Sequence, residues 1–115
     1  MIKTKHIFHD NTNVDGNGID YVMENKSTSM IMAVSCGDLN ETPTATAATL
    51  TFYGKSAGSQ EFVAIKALKA SDYSLNNTGS IDEVYLIDCS PYQTVRVALS
   101  SVTGGSVTVI GEVVE

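Results

Sequence analysis

The sequence predicts an all-β protein: a single antiparallel β-sandwich, jelly-roll-like, with about eight short strands. Near the carboxyl end, apolar Val95, Val97 and Leu99 fall on every second position, as in a strand with one buried face. Gly, Asn and Pro separate most of the apolar segments, as loops between short strands require. No helical stretch is long enough to connect parallel strands, which favours antiparallel pairing.

The strands are predicted from alternation and from the turn residues that bound them. A turn-rich loop over Asp10–Gly18 follows the first strand, and a loop with Pro43 occupies residues 37–46. Lys69 to Ser80 is polar and predicts a long connection or an irregular edge strand. The predicted strands are Lys3–His9, Ile19–Glu24, Ser29–Cys36, Thr49–Gly54, Gln60–Ala67, Glu83–Cys89, Thr94–Ser100 and a last strand with Val107, Val109 and Val113.

The last two strands carry the clearest local signal. Gly104 and Gly105 lie between them, and glycine readily adopts the positive φ angles of a tight turn. We therefore predict a β-hairpin closed by these two glycines.

Length and charge restrict the class of protein. A chain of 115 residues suits one domain over residues 1–115 with a single core. Seven Lys plus Arg against thirteen Asp plus Glu give a net charge of −6, which disfavours nucleic acid as a partner. No segment has the roughly 20 apolar residues of a membrane span. The amino terminus lacks the apolar region of a secretory signal, so we expect synthesis in the cytoplasm.

The two cysteines are predicted to be reduced. Cys36 and Cys89 lack the close spacing of a zinc or redox motif. In this context a free cysteine acts as a small buried hydrophobe.

Three stretches of the chain carry a family resemblance: Ile7–Gly18, Thr51–Ile65 and Val84–Gly111. Together they resemble a family of small phage and prophage proteins from tailed phages of Gram-positive hosts. The resemblance implies a β-sandwich associated with the virion, as a head decoration, a collar or tail component, or a baseplate accessory. It implies no enzymatic activity.

One loop offers a candidate metal site. Asn11, Asn13 and Asp15, followed by Gly16, match the front half of a calcium loop, in which alternate side-chain oxygens converge. The bidentate acid expected eleven residues after Asn11 is replaced by Val22. The pattern therefore favours an ordinary Asx turn over a metal site, and no cofactor is expected.

Catalytic patterns have no support in the chain. His6 and His9 are three positions apart, so on a regular strand they point to opposite faces, and we expect them to be surface or edge-strand residues. The sequence contains no G-x-S-x-G nucleophile elbow. It also contains no nucleotide-binding glycine motif that precedes a helix. We therefore expect that the protein is not an enzyme.

Two non-catalytic functions remain open. The first is assembly of a phage particle, with the chain forming homo-oligomers and binding other virion proteins. Self-association is suggested because both faces of the predicted strand Ser29–Cys36 are low in charge. The alternative is a carbohydrate-binding module for host cell-wall glycans, since tyrosine rings can stack on sugars. Its candidate residues are Tyr53, Tyr73, Tyr85 and Tyr92.

Overall fold

The computed structural model describes residues 3–23, 31–37 and 44–114, and within them the regular elements are all β-strands. No described stretch forms a helix that could cross a membrane. Numbered in chain order, the strands are β1 (Lys3–Thr12), β2 (Tyr21–Val22), β3 (Ile31–Cys36), β4 (Ala47–Lys55), β5 (Val63–Ala64), β6 (Ala67–Lys69), β7 (Leu75–Asn76), β8 (Thr78–Ser80), β9 (Tyr85–Asp88), β10 (Thr94–Thr103) and β11 (Val107–Val114).

The strands form two antiparallel sheets, which confirms the predicted β-sandwich. The six-stranded sheet has the order β1-β11-β3-β9-β6-β7. The five-stranded sheet has the order β2-β10-β4-β5, with β8 also paired to β4. From β1 to β4, and again from β9 to β11, consecutive strands alternate between the two sheets.

The core lies between the sheets and follows from the alternation in the sequence. The six-stranded sheet contributes Phe8, Met32, Val34, Ile87, Val109 and Val113, and the five-stranded sheet contributes Leu50, Phe52, Val95, Val97 and Leu99. The rings of Phe52 and Tyr85, one from each sheet, approach to 5.2 Å between centroids. Each fully buried large apolar side chain contributes about 1.5–3 kcal/mol relative to exposure, which makes this layer the main source of stability.

The predicted hairpin at Gly104 and Gly105 is wrong. Both glycines have the expected positive φ angles, 81° and 148°, but β10 and β11 belong to different sheets. The segment Thr44–Thr46 lies between the ends of the two strands. The amide of Thr46 donates to the carbonyl of Thr103, and the amide of Ala45 donates to the carbonyl of Ser106. Thr46 and Ala45 therefore form hydrogen bonds with the ends of β10 and β11 that these two strands would have formed with each other in a hairpin. The turn at Gly104 and Gly105 instead connects the two sheets.

The predicted strand Gln60–Ala67 is also wrong as a single element. Its residues form β5 in one sheet and, at its end, the start of β6 in the other. Between these strands Ile65 is buried in the core, and its amide donates to the carbonyl of Phe52 at 3.0 Å. An apolar residue at a crossing between sheets is indistinguishable in sequence from one in a continuous strand.

Other predicted boundaries shift by a few residues. The first strand extends three residues beyond His9, to Thr12. The second is limited to β2, with Glu24 outside the described residues. The start of the third predicted strand, Ser29 and Met30, also lies outside them, as does the greater part of the predicted loop over residues 37–46. The predicted connection between Lys69 and Ser80 contains two short strands. Strand β7 pairs with β6 at the edge of the six-stranded sheet, and β8 pairs with β4 of the five-stranded sheet.

Candidate functional site

The outer face of the six-stranded sheet is unusually apolar. Its middle row crosses all six strands in register as Lys5, Glu112, Ala33, Leu86, Leu68 and Leu75. Rows on either side of it add Ile7, Ile110 and Ile31. Leu75 is 61% exposed and Ile31 is 48% exposed. A sheet face that is not covered is normally polar, so this apolar face is a candidate interaction surface.

Two shallow depressions lie on this face, on either side of the central pair Ala33 and Leu86. The first, of about 250 Å³, is lined by small or β-branched side chains together with Lys5 and Glu112. The second, of about 280 Å³, is lined by apolar residues together with Lys66 and Asp88. Each depression therefore has one basic and one acidic residue in its lining.

The outer face of the five-stranded sheet is polar. Hydroxyl groups follow the register from β10 through β4 to β8, with Ser100 opposite Thr49 and Thr49 opposite Ser80. Thr51 and Thr78 form the next pair. The outer face of the five-stranded sheet therefore carries uncharged Thr and Ser side chains, in agreement with the low share of charged residues, 17%, in the sequence.

An ion pair braces one end of the polar face. Arg96 Nε donates to Asp20 Oδ1 at 2.8 Å, and a terminal guanidinium nitrogen donates to Asp20 Oδ2 at 3.1 Å. The ring of Phe62 lies 3.8 Å from the guanidinium carbon, in the geometry of a cation–π contact. The hydrogen bond to Asp20 raises the pKa of Arg96. The cluster ties the loop before β2 and the loop before β5 to the centre of the sheet.

The two histidines support the fold. His6 Nε2 lies 2.7 Å from the carbonyl of Ile19, and the ring packs edge-on against Phe8. His9 is only 4% exposed, and its Nε2 lies 2.7 Å from the carbonyl of Val97. Both residues lie on an edge strand, as predicted, but surface exposure is wrong for His9. An irregularity in the β1–β11 register between Ile7 and His9 breaks the alternation, so Phe8 and His9 are both buried.

The structure distributes the calcium-loop residues along the end of β1 and the following loop. Asn11 has a φ of 50° and its amide donates to the Thr108 hydroxyl. Asp15 Oδ1 accepts a 3.3 Å hydrogen bond from the amide of Val102, and Asn13 is exposed. Among the described residues, no group of three or more His, Cys, Asp or Glu is placed to hold a metal ion.

The four candidate tyrosines do not form one platform. Tyr85 is 3% exposed, and its hydroxyl accepts a 2.8 Å hydrogen bond from the amide of Ser80, so its ring is closed to a sugar. Tyr92 packs against the core, where its ring faces Gly54 on the inner side of β4. Tyr53 precedes Gly54 and therefore points to the outer side. Tyr73 is 77% exposed and follows β6 of the other sheet.

The cysteines are free thiols, as predicted. Cys89 is fully buried, and Cys36 is partly buried at the border of the first depression. Burial raises the pKa of the Cys36 thiol to about 12, and the nearby carboxylate of Asp82 contributes to the rise. The Cys36 thiol is therefore protonated at neutral pH, the form in which a thiol is not nucleophilic.

Most residues of the apolar face, apart from its strip on β3, and the two residues of the ion pair are not identified by any local sequence pattern. Leu75 lies in the segment predicted as a polar connection and Leu68 directly precedes that segment, and only β-pairing aligns them with Leu86. Asp20 and Arg96 are 76 positions apart, so no local pattern connects them. Leu86 was the one usable signal in the sequence. It lies between the buried residues Tyr85 and Ile87, so it points away from the core, and yet it is apolar.

Comparisons with known proteins match the chain to a prophage family. No curated protein sequence matches it. The structure of the SPBc2 prophage-derived protein YomS is similar with a TM-score of 0.83 and 23% identity, covering 99% of this chain and 94% of YomS. The PBSX exported protein XepA is similar with a TM-score of 0.82 and 20% identity, covering 98% of this chain.

The XepA match involves part of a larger protein, since the chain spans only 38% of the XepA chain. At these identities the structural likeness establishes the shared fold. In sequence, the model of the XepA family matches residues 3–113, which is nearly the whole chain. The chain therefore belongs to the XepA family.

Proposed function

We propose that the chain is a non-enzymatic structural or accessory component of a tailed-phage particle from a Gram-positive host. In this proposal it is made in the host cytoplasm and enters the particle as a head decoration, a collar or tail component, or a baseplate accessory. It acts by assembling with copies of itself and with other particle proteins.

The apolar outer face of the six-stranded sheet is the observation that carries this proposal. A sheet that faces water on one side normally alternates apolar and polar residues. Here Leu75, Leu68 and Leu86 occupy the outward positions of three neighbouring strands. Covering such a face with another protein removes apolar surface from water, at about 25 cal/mol per Å².

The use of the polar groups supports a scaffold in preference to an enzyme. His9 bonds to a backbone carbonyl and Arg96 to Asp20. Asp15 bonds to a backbone amide. Each of these groups stabilises a junction between elements, and catalysis would require such groups to converge on a substrate.

We also infer that the sandwich is of the jelly-roll type. A jelly roll places eight strands in two sheets through two Greek keys. The orders β1-β11-β3-β9 and β2-β10-β4-β5, with neighbouring strands in the chain alternating between sheets, support this connectivity. Such a domain is rigid and presents two broad faces, which suits assembly.

Composition analysis of purified particles tests the proposal. Particles would be banded in a density gradient after induction of the phage that encodes the chain, and their proteins quantified by mass spectrometry. We expect the chain in a constant ratio to the major structural proteins across the band. A phage-encoded intracellular enzyme serves as the control for carry-over. A ratio that falls to the level of this control would contradict the proposal.

Glycan binding is the second candidate function. Tyr53 on the outer side of β4 lies opposite Arg96 in register, and the Phe62 ring stacks on that guanidinium, so aromatic groups do occur on the hydroxyl-rich face. A pull-down with host cell walls, using Tyr53→Ala with Tyr73→Ala as the matched control, tests it. Retention that Tyr53→Ala abolishes would favour glycan binding, and no retention of the parent chain would favour assembly.

A further inference from the structure

We propose that Asn17 is a site of spontaneous covalent modification, at which the folded chain converts a side-chain amide into a carboxylate with water as the co-reactant. Asn17 and Gly18 lie in the loop between β1 and β2. Every other asparagine of the chain precedes a residue larger than glycine. The modification does not depend on what the protein binds, so it goes beyond the proposed function.

The reaction proceeds through a cyclic imide. The main-chain nitrogen of Gly18 loses its proton to a base in the solvent and attacks Cγ of Asn17, and the bond from Cγ to the side-chain nitrogen breaks as ammonia leaves. Water then opens the resulting succinimide at either carbonyl carbon. Opening at the side-chain carbonyl gives aspartate, and opening at the main-chain carbonyl gives isoaspartate. Glycine favours the ring closure, because no Cβ obstructs the approach.

The peptide group between Asn17 and Gly18 is free to react. Both residues are exposed. Within the part of the chain that the structure describes, the carbonyl of Asn17, its side-chain amide and the N–H of Gly18 have no protein hydrogen-bond partner. Rotation of this peptide group toward the side chain therefore breaks no protein hydrogen bond, and solvent reaches both reacting groups.

The neighbouring pair, Asp15 and Gly16, has a similar sequence in a different environment. Aspartate before glycine forms the same imide, with loss of water in place of ammonia. Here the amide of Gly16 donates to the carbonyl of Leu99 at 3.0 Å, and Asp15 Oδ1 accepts a 3.3 Å hydrogen bond from the amide of Val102. Hydrogen bonds hold both the nucleophile and the group that it would attack. The fold therefore protects Asp15 and leaves Asn17 open to reaction.

The fold also retains the glycine that makes Asn17 reactive. Gly18 has a φ of 68°, in the left-handed region. A Cβ at this position would lie 2.3 Å from the carbonyl oxygen of Phe8 and 2.6 Å from two atoms of the His9 ring. A larger residue at position 18 is therefore excluded, and the reactive pair can be removed only by replacing the exposed Asn17.

Isoaspartate at position 17 would disturb the attachment of this loop to the sandwich. On one side Gly16 exchanges hydrogen bonds with β10, and on the other the amide of Ile19 donates to the carbonyl of Phe8 at 2.9 Å. Only the reactive pair separates these anchors. Isoaspartate adds a carbon atom to the main chain between them, so both anchors cannot keep their present geometry.

Ageing of the folded full chain in mildly alkaline buffer tests the proposal, with a sample in denaturant as the reference. Electron-transfer fragmentation of the peptides assigns isoaspartate to position 15 or to position 17. We expect Asn17 to react in the folded chain within about tenfold of its rate in denaturant, and Asp15 to be slowed much more. Protection of Asn17 as strong as that of Asp15 would overturn the proposal.

Two variants at exposed asparagines identify the source of the product. Asn17→Gln should remove most of the isoaspartate formed by the folded chain, because glutamine closes a larger ring and reacts far more slowly. Asn13→Gln is the matched control, since Asn13 is exposed in the same loop but precedes Val14, and it should leave the amount unchanged. Far-ultraviolet circular dichroism checks that both variants are folded. Undiminished isoaspartate in Asn17→Gln would refute the assignment to Asn17.

Discussion

The imidazole of His9 in β1 is hydrogen-bonded to the carbonyl oxygen of Val97 in β10, with 2.7 Å between Nε2 and the oxygen. This contact joins an edge strand of one sheet to an inner strand of the other. Because a carbonyl only accepts, Nε2 carries the proton in the neutral ring. Burial lowers the pKa of His9 from its ordinary value of 6.5, although the bond to Val97 opposes the shift.

We expect the free energy of unfolding to fall as the pH drops below about 6.5. In that range the unfolded chain takes up a proton on His9 that the folded chain resists, so acid favours unfolding until the lower folded pKa is reached. Urea unfolding at a series of pH values measures the slope. His9→Gln keeps an N–H donor but has no ionisation, so part of the slope should disappear. An unchanged slope would exclude His9 as its source.

The pair Arg96 and Asp20 should be coupled more strongly than an ordinary surface ion pair. Its two hydrogen bonds give it a fixed forked geometry, and the Phe62 ring covers the guanidinium. A double-mutant cycle with Arg96→Gln and Asp20→Asn should give a coupling energy of about 1 kcal/mol that declines with salt. Lys69 and Glu83, joined by one 3.9 Å contact, are the matched control and should couple near zero. Equal coupling in the two pairs would contradict this expectation.

Gly79 should not tolerate a side chain. A Cβ at this position would lie 2.4 Å from Cζ of the Tyr85 ring, which is held by the hydrogen bond from the amide of Ser80. Gly79→Ala should therefore destabilise the protein by about 1–3 kcal/mol, the usual cost of overpacking. Gly58→Ala is the control, because nothing lies within 4 Å of its Cβ. Thermal unfolding of the two variants checks the difference, and equal midpoints would be inconsistent with it.

The thiol of Cys36 should react slowly in the native protein. Only the thiolate is nucleophilic, and burial raises its pKa to about 12. Iodoacetamide at pH 8 should modify Cys36 far more slowly in the folded chain than in denaturant, as followed by peptide mass spectrometry. Cys89, which is fully buried, provides an internal standard for protection. Native labelling of Cys36 as fast as in denaturant would show that its burial is transient.

Calcium should leave the melting temperature unchanged. Asp15 already accepts a hydrogen bond from Val102, and Val22 stands where a bidentate acid would be needed. A ligand that binds only the folded state raises its stability, so melting curves with excess calcium and with a chelator are a direct test. A higher midpoint in calcium that Asp15→Asn removes would establish the site after all.

Much of the strand content was predictable because the alternation of buried and exposed residues is a local property. In β10, Val95, Val97 and Leu99 are buried as their spacing predicts. The alternation breaks at Phe8 and His9, where an irregular register buries two consecutive residues. It also breaks at Ile65, which lies between two short strands of different sheets.

The candidate surface was less predictable than the strands. The low charge of Ile31, Ala33 and Ser35 is visible in the sequence, and it is one strip of the outer face. The rest of that face depends on which strands are neighbours. Leu75 and Leu86 share a row only because β6 pairs with both β7 and β9.

By itself the sequence determined that the chain is an all-β protein, where most strands lie, and that its thiols are free. The first two properties depend on side-chain periodicity and on turn residues within a few positions of each other, and the third depends on the wide spacing of Cys36 and Cys89. The tertiary structure alone decided that β10 and β11 separate at Gly104 and Gly105, and that Ala33, Leu86, Leu68 and Leu75 lie in one row across four neighbouring strands. Pairing depends on contacts between distant segments, such as Thr46 with Thr103, which compete for the same backbone hydrogen bonds.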